Sequence, residues 1–199
     1  MRRSRFAALA LFALAAGAVA SAPAPAPAAP VPKHLLPKDE PLLYSVRAGD
    51  RHESTFAGKT IVCVVTKVEK TDDGTRVEVV EEHAGGPPTP YEVVVVSTAG
   101  VKQLESYGRK HDEPIWWVKL PHADTNAWTD RLGQANRSWK TAGWEEVEVP
   151  AGKFRAIRAD RTDGPGGPIT SYWWAPGIGC VKWSNGNTGR EMTAFKPGK

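Results

Sequence analysis

From Thr60 to Phe195 the chain is cut into short β-branched runs by turn residues, and that punctuation leaves an antiparallel sheet as the reading that fits. Thr60–Glu69 reads T-I-V-C-V-V-T-K-V-E and Thr75–Glu82 reads T-R-V-E-V-V-E-E, with Thr71-Asp72-Asp73-Gly74 between them as a hairpin signal. Two registers compete. A two-residue Asp73-Gly74 turn sets Glu69 opposite Glu78, whereas a four-residue loop pairs Glu69 with Arg76, Val68 with Val77 and Lys67 with Glu78. Opposite charges across a strand pair contribute ~0.2–1 kcal/mol and like charges cost a similar amount, so the longer loop is expected.

The pattern continues downstream. Tyr91–Ser97 is apolar at both parities, as a central strand would be, and Thr98-Ala99-Gly100 turns the chain into Val101–Tyr107. Ile115–Leu120 is a further strand, stopped by Pro121. Glu145–Val149 alternates apolar and charged residues, and Pro150-Ala151-Gly152 reads as a type I turn closed by a left-handed glycine in a three-residue hairpin. Phe154–Arg161, Thr170–Ala175, Gly179–Ser184 and Glu191–Phe195 complete the strands. Between them lie a turn at Asp163–Gly167 and a type II turn at Ala175-Pro176-Gly177-Ile178, with Pro and Gly at its second and third places. No stretch of the body holds a helical period over twelve residues; Thr125–Leu132 comes nearest, and weakly. The expected fold is all-β, a single large curved antiparallel sheet or partly open β-barrel with little helix.

The N-terminus has a different character. Arg2, Arg3 and Arg5 precede the apolar run Phe6–Ala20, which ends in the small-x-small site Ala18-Val19-Ala20. This is the pattern of a secretory signal peptide over residues 1–20. The run is short for a membrane span, which needs ~20 good apolar residues, and no Cys follows it as a lipid acceptor. Residues 21–41 are rich in Pro and Ala, which favours extended polyproline conformations and reads as a tether. The antiparallel β-domain is then expected over 42–197. Export also corrects the charge, because three of the 26 Lys+Arg lie in the leader and leave 23 against 22 Asp+Glu. A nearly neutral body argues against nucleic acid and against an anionic membrane as partners, and no stable membrane insertion is expected after cleavage. The chain is placed outside the cytoplasm, in the periplasm or the extracellular space.

Catalytic constellations are not evident. His34, His52, His83, His111 and His122 show neither the i,i+4 spacing nor the paired motif of a zinc site, and read as surface loop residues. There is no G-x-S-x-G elbow. The carboxylate pairs Asp72-Asp73, Glu81-Glu82, Asp112-Glu113 and Glu145-Glu146 are adjacent, so on a strand they diverge to opposite faces instead of forming a dyad. The glycine clusters Gly164–Gly167 and Gly177–Gly179 are followed by strands, whereas a phosphate-cradling loop runs into a helix. No catalytic residue, metal or cofactor is therefore assigned, and the expected class is a non-enzymatic binding or structural module. The alternatives are a hydrolase of an envelope polymer, with His111 and Asp112 in a polar loop, and an assembly component that pairs through a sheet edge.

Cys63 and Cys180 both fall on expected strands. In an oxidising compartment they could pair, restraining the unfolded chain by ~4–5 kcal/mol, or remain as small buried apolar thiols. The eight tryptophans are the anomaly. Trp116 and Trp117 are adjacent, as are Trp173 and Trp174, so within a strand each pair must divide between the two faces. The rings also suit sheet packing, but Trp117, Trp174 and Trp183 are the residues expected to line a site for an apolar or glycan ligand, if there is one.

The segments E-V-E-V-P-A-G-K-F (Glu146–Phe154, with Glu145 before it) and Y-W-W-A-P-G-I-G-C-V-K (Tyr172–Lys182) resemble the paired signature of a family of exported bacterial proteins of unknown function. That family shows V-P-A-G-x-F and then Y-W-Y-A-P-G-V-G-x-V-K; here Trp174 stands in place of its tyrosine and Cys180 in place of an apolar residue. The resemblance covers about Ile115 to Phe195. It implies a curved antiparallel sheet loosely similar to the lipoprotein-carrier fold, an unknown envelope partner or ligand, and no transferable catalytic residue.

Overall fold

The computed structural model describes residues 42–121, 127–133 and 135–198. The leader, the tether, His34, His122 and the first two residues of the Thr125–Leu132 segment lie outside the described residues.

Twelve strands form one antiparallel sheet. They are β1 (Arg51–Phe56), β2 (Lys59–Thr71), β3 (Gly74–Glu82), β4 (Thr89–Ser97), β5 (Gly100–Ser106), β6 (Arg109–Lys119), β7 (Ala127–Leu132), β8 (Ala135–Val149), β9 (Gly152–Asp163), β10 (Ile169–Ala175), β11 (Gly179–Ser184) and β12 (Gly189–Lys196). Each pairs with its neighbours in sequence except at one place, and β1 pairs with β12, giving the order β6-β5-β4-β3-β2-β1-β12-β11-β10-β9-β8-β7. The two halves of the chain are thus joined through its terminal strands. The sheet curls until β6 and β7 touch, but no backbone ladder forms between them. The result is a barrel with one unsealed seam.

Alternation builds the interior. Val77 and Val79 on β3, Val94 and Val96 on β4, Val101 on β5 and Val118 on β6 are almost wholly buried, while Lys67, Glu69 and Arg76 on the other face form surface ion pairs. Burying one such valine stabilises the fold by ~1.5–3 kcal/mol. The β2–β3 register pairs Glu69 with Arg76, Val68 with Val77 and Lys67 with Glu78, as the charge argument requires, but pairing continues to Thr71 and Gly74, so Asp72 and Asp73 alone form the tip in place of the expected four-residue loop. The β8–β9 hairpin is tighter than expected: Val149 pairs with Gly152, so Pro150 and Ala151 alone form its tip. The Ala175–Ile178 turn closes with the Ile178 N–H on the Ala175 carbonyl, and Gly177 sits at φ +67°, as a type II turn demands.

Two expectations change. Residues 127–132, the nearest thing to a helix in the sequence, are strand β7. Its faint helical period loses to the sheet, because Trp128 pairs with Trp139 of β8 and both rings are buried. His52 and His111 lie on strands β1 and β6, where loop positions were expected.

One end of the barrel is filled by the chain that precedes β1. Leu43 and Tyr44 are buried within the main core and Ser45 is buried beside them in sequence, and Asp50 accepts hydrogen bonds from the Ser45 hydroxyl and from the Gly198 N–H, the latter at 2.6 Å. The Gly49 N–H donates to the Val65 carbonyl and the Gly177 N–H to the Leu42 carbonyl, at 2.8 and 2.7 Å. This segment therefore acts as a strap held by β2 and by the β10–β11 turn. A second apolar cluster, including Val147, Phe154, Ala156 and Phe195, forms where the β8–β9 hairpin curls over. There the Ala151 N–H reaches the Met192 carbonyl at 3.0 Å.

Candidate ligand-binding cavity

Inside the barrel, between β1–β4, β6 and β10–β12, is a cavity of about 200 Å³. Its walls carry Val65, Val79, Ile178, Val181 and Met192, and its aromatic side carries Trp117, Tyr172, Trp174 and Trp183. All three tryptophans singled out from the sequence line it. Trp117 is the centre of that side: its ring lies 5.3 Å from Tyr172, 5.6 Å from Trp139 and 6.1 Å from Trp174. Tyr172 continues the row to Trp183 at 6.4 Å. Aromatic pairs at such separations contribute ~0.5–1.5 kcal/mol beyond their buried area. The indole N–H groups of Trp117 and Trp174 are buried and have no hydrogen-bond partner among the described residues.

Bulges supply three of the lining residues. Val79 pairs with Glu92 and Val80 with Pro90, so Tyr91 is the extra residue of β4. Val101 pairs with Val118 and Lys102 with Trp116, leaving Trp117 as the extra residue of β6. Trp173 pairs with Lys182 and Trp174 with Cys180, leaving Val181 extra on β11. A bulge re-aims a side chain that strict alternation would send elsewhere. Hence Tyr91 and Glu92 both line the cavity although they are adjacent. For the same reason Trp116 and Trp117 both pack against the main core. Trp173 and Trp174 do divide between faces: Trp174 is in the main core, and Trp173 packs on the second cluster with its N–H on Glu145.

Polar groups gather at one side of the cavity. Arg190 of β12 donates Nε–H to the Ser54 hydroxyl at 2.6 Å, one Nη to the Tyr91 hydroxyl at 2.5 Å and the other to the Cys63 sulfur at 3.5 Å. Glu92 accepts from the Tyr44 hydroxyl at 2.6 Å and from the Gln103 amide at 2.9 Å. Burial pushes the Glu92 carboxyl up, against the lowering effect of those two donors and of Arg190. It also pushes the Cys63 thiol up to about 11 and the Cys180 thiol up to about 12, with Arg190 pulling both back. His52 is pushed down to about 4 by burial, and the Arg190 charge adds to the effect. The imidazole is therefore neutral at neutral pH. The sequence marks none of these residues as cavity lining: Cys63 and Cys180 stand out only as a possible disulfide or buried thiols, and the only signal for Arg190 is a cation shortly before the run Met192–Phe195.

Cys63 and Cys180 are free thiols that both line the cavity. Strands β1 and β12 lie between theirs, three inter-strand steps of about 4.8 Å along the curved sheet. His111 donates its Nε2–H to the Gln103 amide oxygen at 3.0 Å and sits on β6 beside exposed Asp112, away from the cavity lining. Among the described residues there is no group of three or more His, Cys, Asp or Glu placed to hold a metal ion.

The architecture is similar to the YmcC-like fold. A Bacteroides fragilis protein with that fold, inferred to be exported, matches with a TM-score of 0.52 at 16% identity, over 77% of this chain and 98% of the other. A Parabacteroides distasonis protein inferred to be a lipoprotein matches at 13% identity over 80% of this chain and all of the other, with a TM-score of 0.48. The hypothetical lipoprotein YmcC of Escherichia coli matches at 13% identity over 75% of this chain and 85% of its own, with a TM-score of 0.34. No family model matches the chain, and no curated protein matches it.

Proposed function

We propose that this chain is an exported envelope β-domain that holds a small apolar molecule inside its open barrel and performs no catalysis. The observation that carries the reading is the cavity itself, an apolar-walled space with an aromatic side and a few polar groups gathered at one side. Pockets of this kind, apolar with a few convergent polar groups, are where small ligands bind. Its apolar walls favour an apolar occupant over a glycan, which would need hydroxyl partners along its length. The basic and apolar leader pattern, and the exported character inferred for the Bacteroides fragilis protein of like fold, support an envelope location.

A hydrolase reading has less support, since His111 and Asp112 lie on an outer strand and do not converge with another reacting group. Pairing through a sheet edge is also disfavoured, because edge strands β6 and β7 meet each other. The test is native mass spectrometry of the protein purified gently from its own envelope fraction, followed by titration with a fluorescent hydrophobic probe. A bound apolar molecule, or probe uptake that quenches the tryptophans, is expected. A bare mass together with tryptophan emission unmoved by the probe would refute the binding role.

A further inference from the structure

Arg190 is a cation with no direct ion pair among the described residues. Its interactions are those with Ser54, Tyr91 and Cys63, and it forms no ion pair with any described carboxylate. All three partners are neutral groups: a hydroxyl, a phenol held protonated by burial and a thiol held protonated by burial. The nearest acid facing the same cavity, Glu92, is engaged by Tyr44 and Gln103 and is itself pushed toward its protonated form by burial. A guanidinium has five N–H donors, and three are used here, one of them on a weak sulfur acceptor. Two remain. The rings of Trp117 and Trp174 line the same space. The polar part of the cavity thus holds a guanidinium with no direct carboxylate partner and two N–H donors to spare, beside a tryptophan wall.

We infer that the occupant of the cavity is an apolar molecule bearing a single carboxylate, such as a medium-chain fatty acid, with its head group on Arg190 and its chain along Trp117, Trp174 and Trp183. This rests on the binding role proposed above and specifies its ligand. A planar carboxylate matches the fork of a guanidinium, and a single negative charge balances a single cation. A phosphate dianion would bring an excess charge into an apolar space that offers no second cation beside Arg190 except Lys182, whose Nζ is already paired with Glu191 at 2.7 Å.

The experiment is a tryptophan-fluorescence titration of the full-length protein with decanoate, decanol and decyl phosphate at neutral pH, repeated with Arg190→Met. The expected result is decanoate bound about tenfold or more tightly than decanol by the natural protein, with that preference gone in R190M while decanol still binds. Equal binding of decanoate and decanol, or a preference that survives R190M, would overturn the carboxylate assignment and leave the apolar binding role standing. Decyl phosphate binding more tightly than decanoate would overturn it as well, in favour of a phosphate head group. If none of the three binds, the binding role falls and the assignment with it. Should R190M fail to fold, the decanoate-to-decanol ratio of the natural protein decides alone.

Discussion

The Trp128 indole N–H donates to the Trp116 carbonyl oxygen at 3.2 Å, and so a side chain of β7 caps the backbone of β6 across the gap where the two strands form no ladder. The seam is held by side chains in this way. Thr141 of β8 places its hydroxyl 3.4 Å from the Lys119 carbonyl, and the Lys119 ammonium lies 5.2 Å from the Trp116 ring and 5.5 Å from the Trp128 ring. Trp128 is fixed in turn by stacking on Trp139, with ring centroids 5.8 Å apart and planes 4° from parallel.

Trp128→Phe keeps the stacking and removes the donor. The expected cost is about 1–2 kcal/mol of folding stability, the price of one buried hydrogen bond with its acceptor left unmade. Trp144→Phe serves as the comparison, since Trp144 is 40% exposed and its contact is with Arg155 at the surface. It should change stability by less than about 0.5 kcal/mol. Urea unfolding of the two variants checks both numbers; equal effects would mean the seam bond contributes nothing.

Gly100 allows β5 to lie close to β6. A Cβ there would sit 2.0 Å from the Val118 carbonyl oxygen, and the backbone is at φ +125°. Gly58, at φ +75°, has open space around the same position. Gly58→Ala should therefore cost about 1 kcal/mol, the backbone term alone. Gly100→Ala should cost more than about 3 kcal/mol, because backbone atoms of a paired strand have to move as well. Thermal or urea denaturation separates the two.

These contrasts bear on what the sequence could disclose. Strand positions over β2–β5 and β9–β12 were legible because β-branched or alternating runs and turn chemistry agree there, and the charges at Glu69, Arg76 and Glu78 settled the β2–β3 register. Strand β1 and the first part of β8 carried no such signal. R-H-E-S-T-F and N-R-S-W-K-T are polar at most positions, and they are strands because their neighbours in the sheet pair with them. The cavity was half legible. Tryptophan pairs in strands pointed to rings on an inner face, but bulges at Tyr91, Trp117 and Val181 decide which rings and polar groups converge, and a bulge has no residue signature when the extra residue is not Gly. Arg190 meets Ser54, Tyr91 and Cys63 only because the first and last strands pair, a contact spanning 136 residues in the case of Ser54.

His52 makes the fold sensitive to acid. Its folded-state value of about 4 lies below the ordinary 6.5, so between those values the unfolded chain binds the extra proton and the folded chain does not. The His52 contribution is complete above about pH 6.5 and is lost as the pH falls toward 4, an effect of about 2–3 kcal/mol. Glu92 works in the opposite sense: its raised value favours the folded state at low pH and is a liability as the pH rises through it. Urea midpoints of the natural protein should fall between pH 6.5 and 4, and His52→Gln should flatten that limb. An unchanged pH profile in the variant would assign the acid sensitivity to other groups.

The two cysteines should behave as inert thiols in the folded protein. Burial holds Cys63 at about 11 and Cys180 at about 12, so the reactive thiolate is scarce at neutral pH even with Arg190 nearby. A disulfide needs Cα atoms within about 7 Å. Strands β1 and β12 stand between the two cysteine strands, and the side chains of His52 and Arg190 line the cavity between them. A thiol reagent such as iodoacetamide should therefore label neither cysteine within minutes under native conditions and both after denaturation without reductant, with an intact mass showing no two-hydrogen deficit. Labelling of only the reduced, denatured protein would establish the Cys63–Cys180 bond and require β1 and β12 to yield at that level of the barrel. Rapid native labelling of Cys63 alone would instead mean that the Arg190 side of the cavity is open to solvent, which is the route a carboxylate head group would have to take.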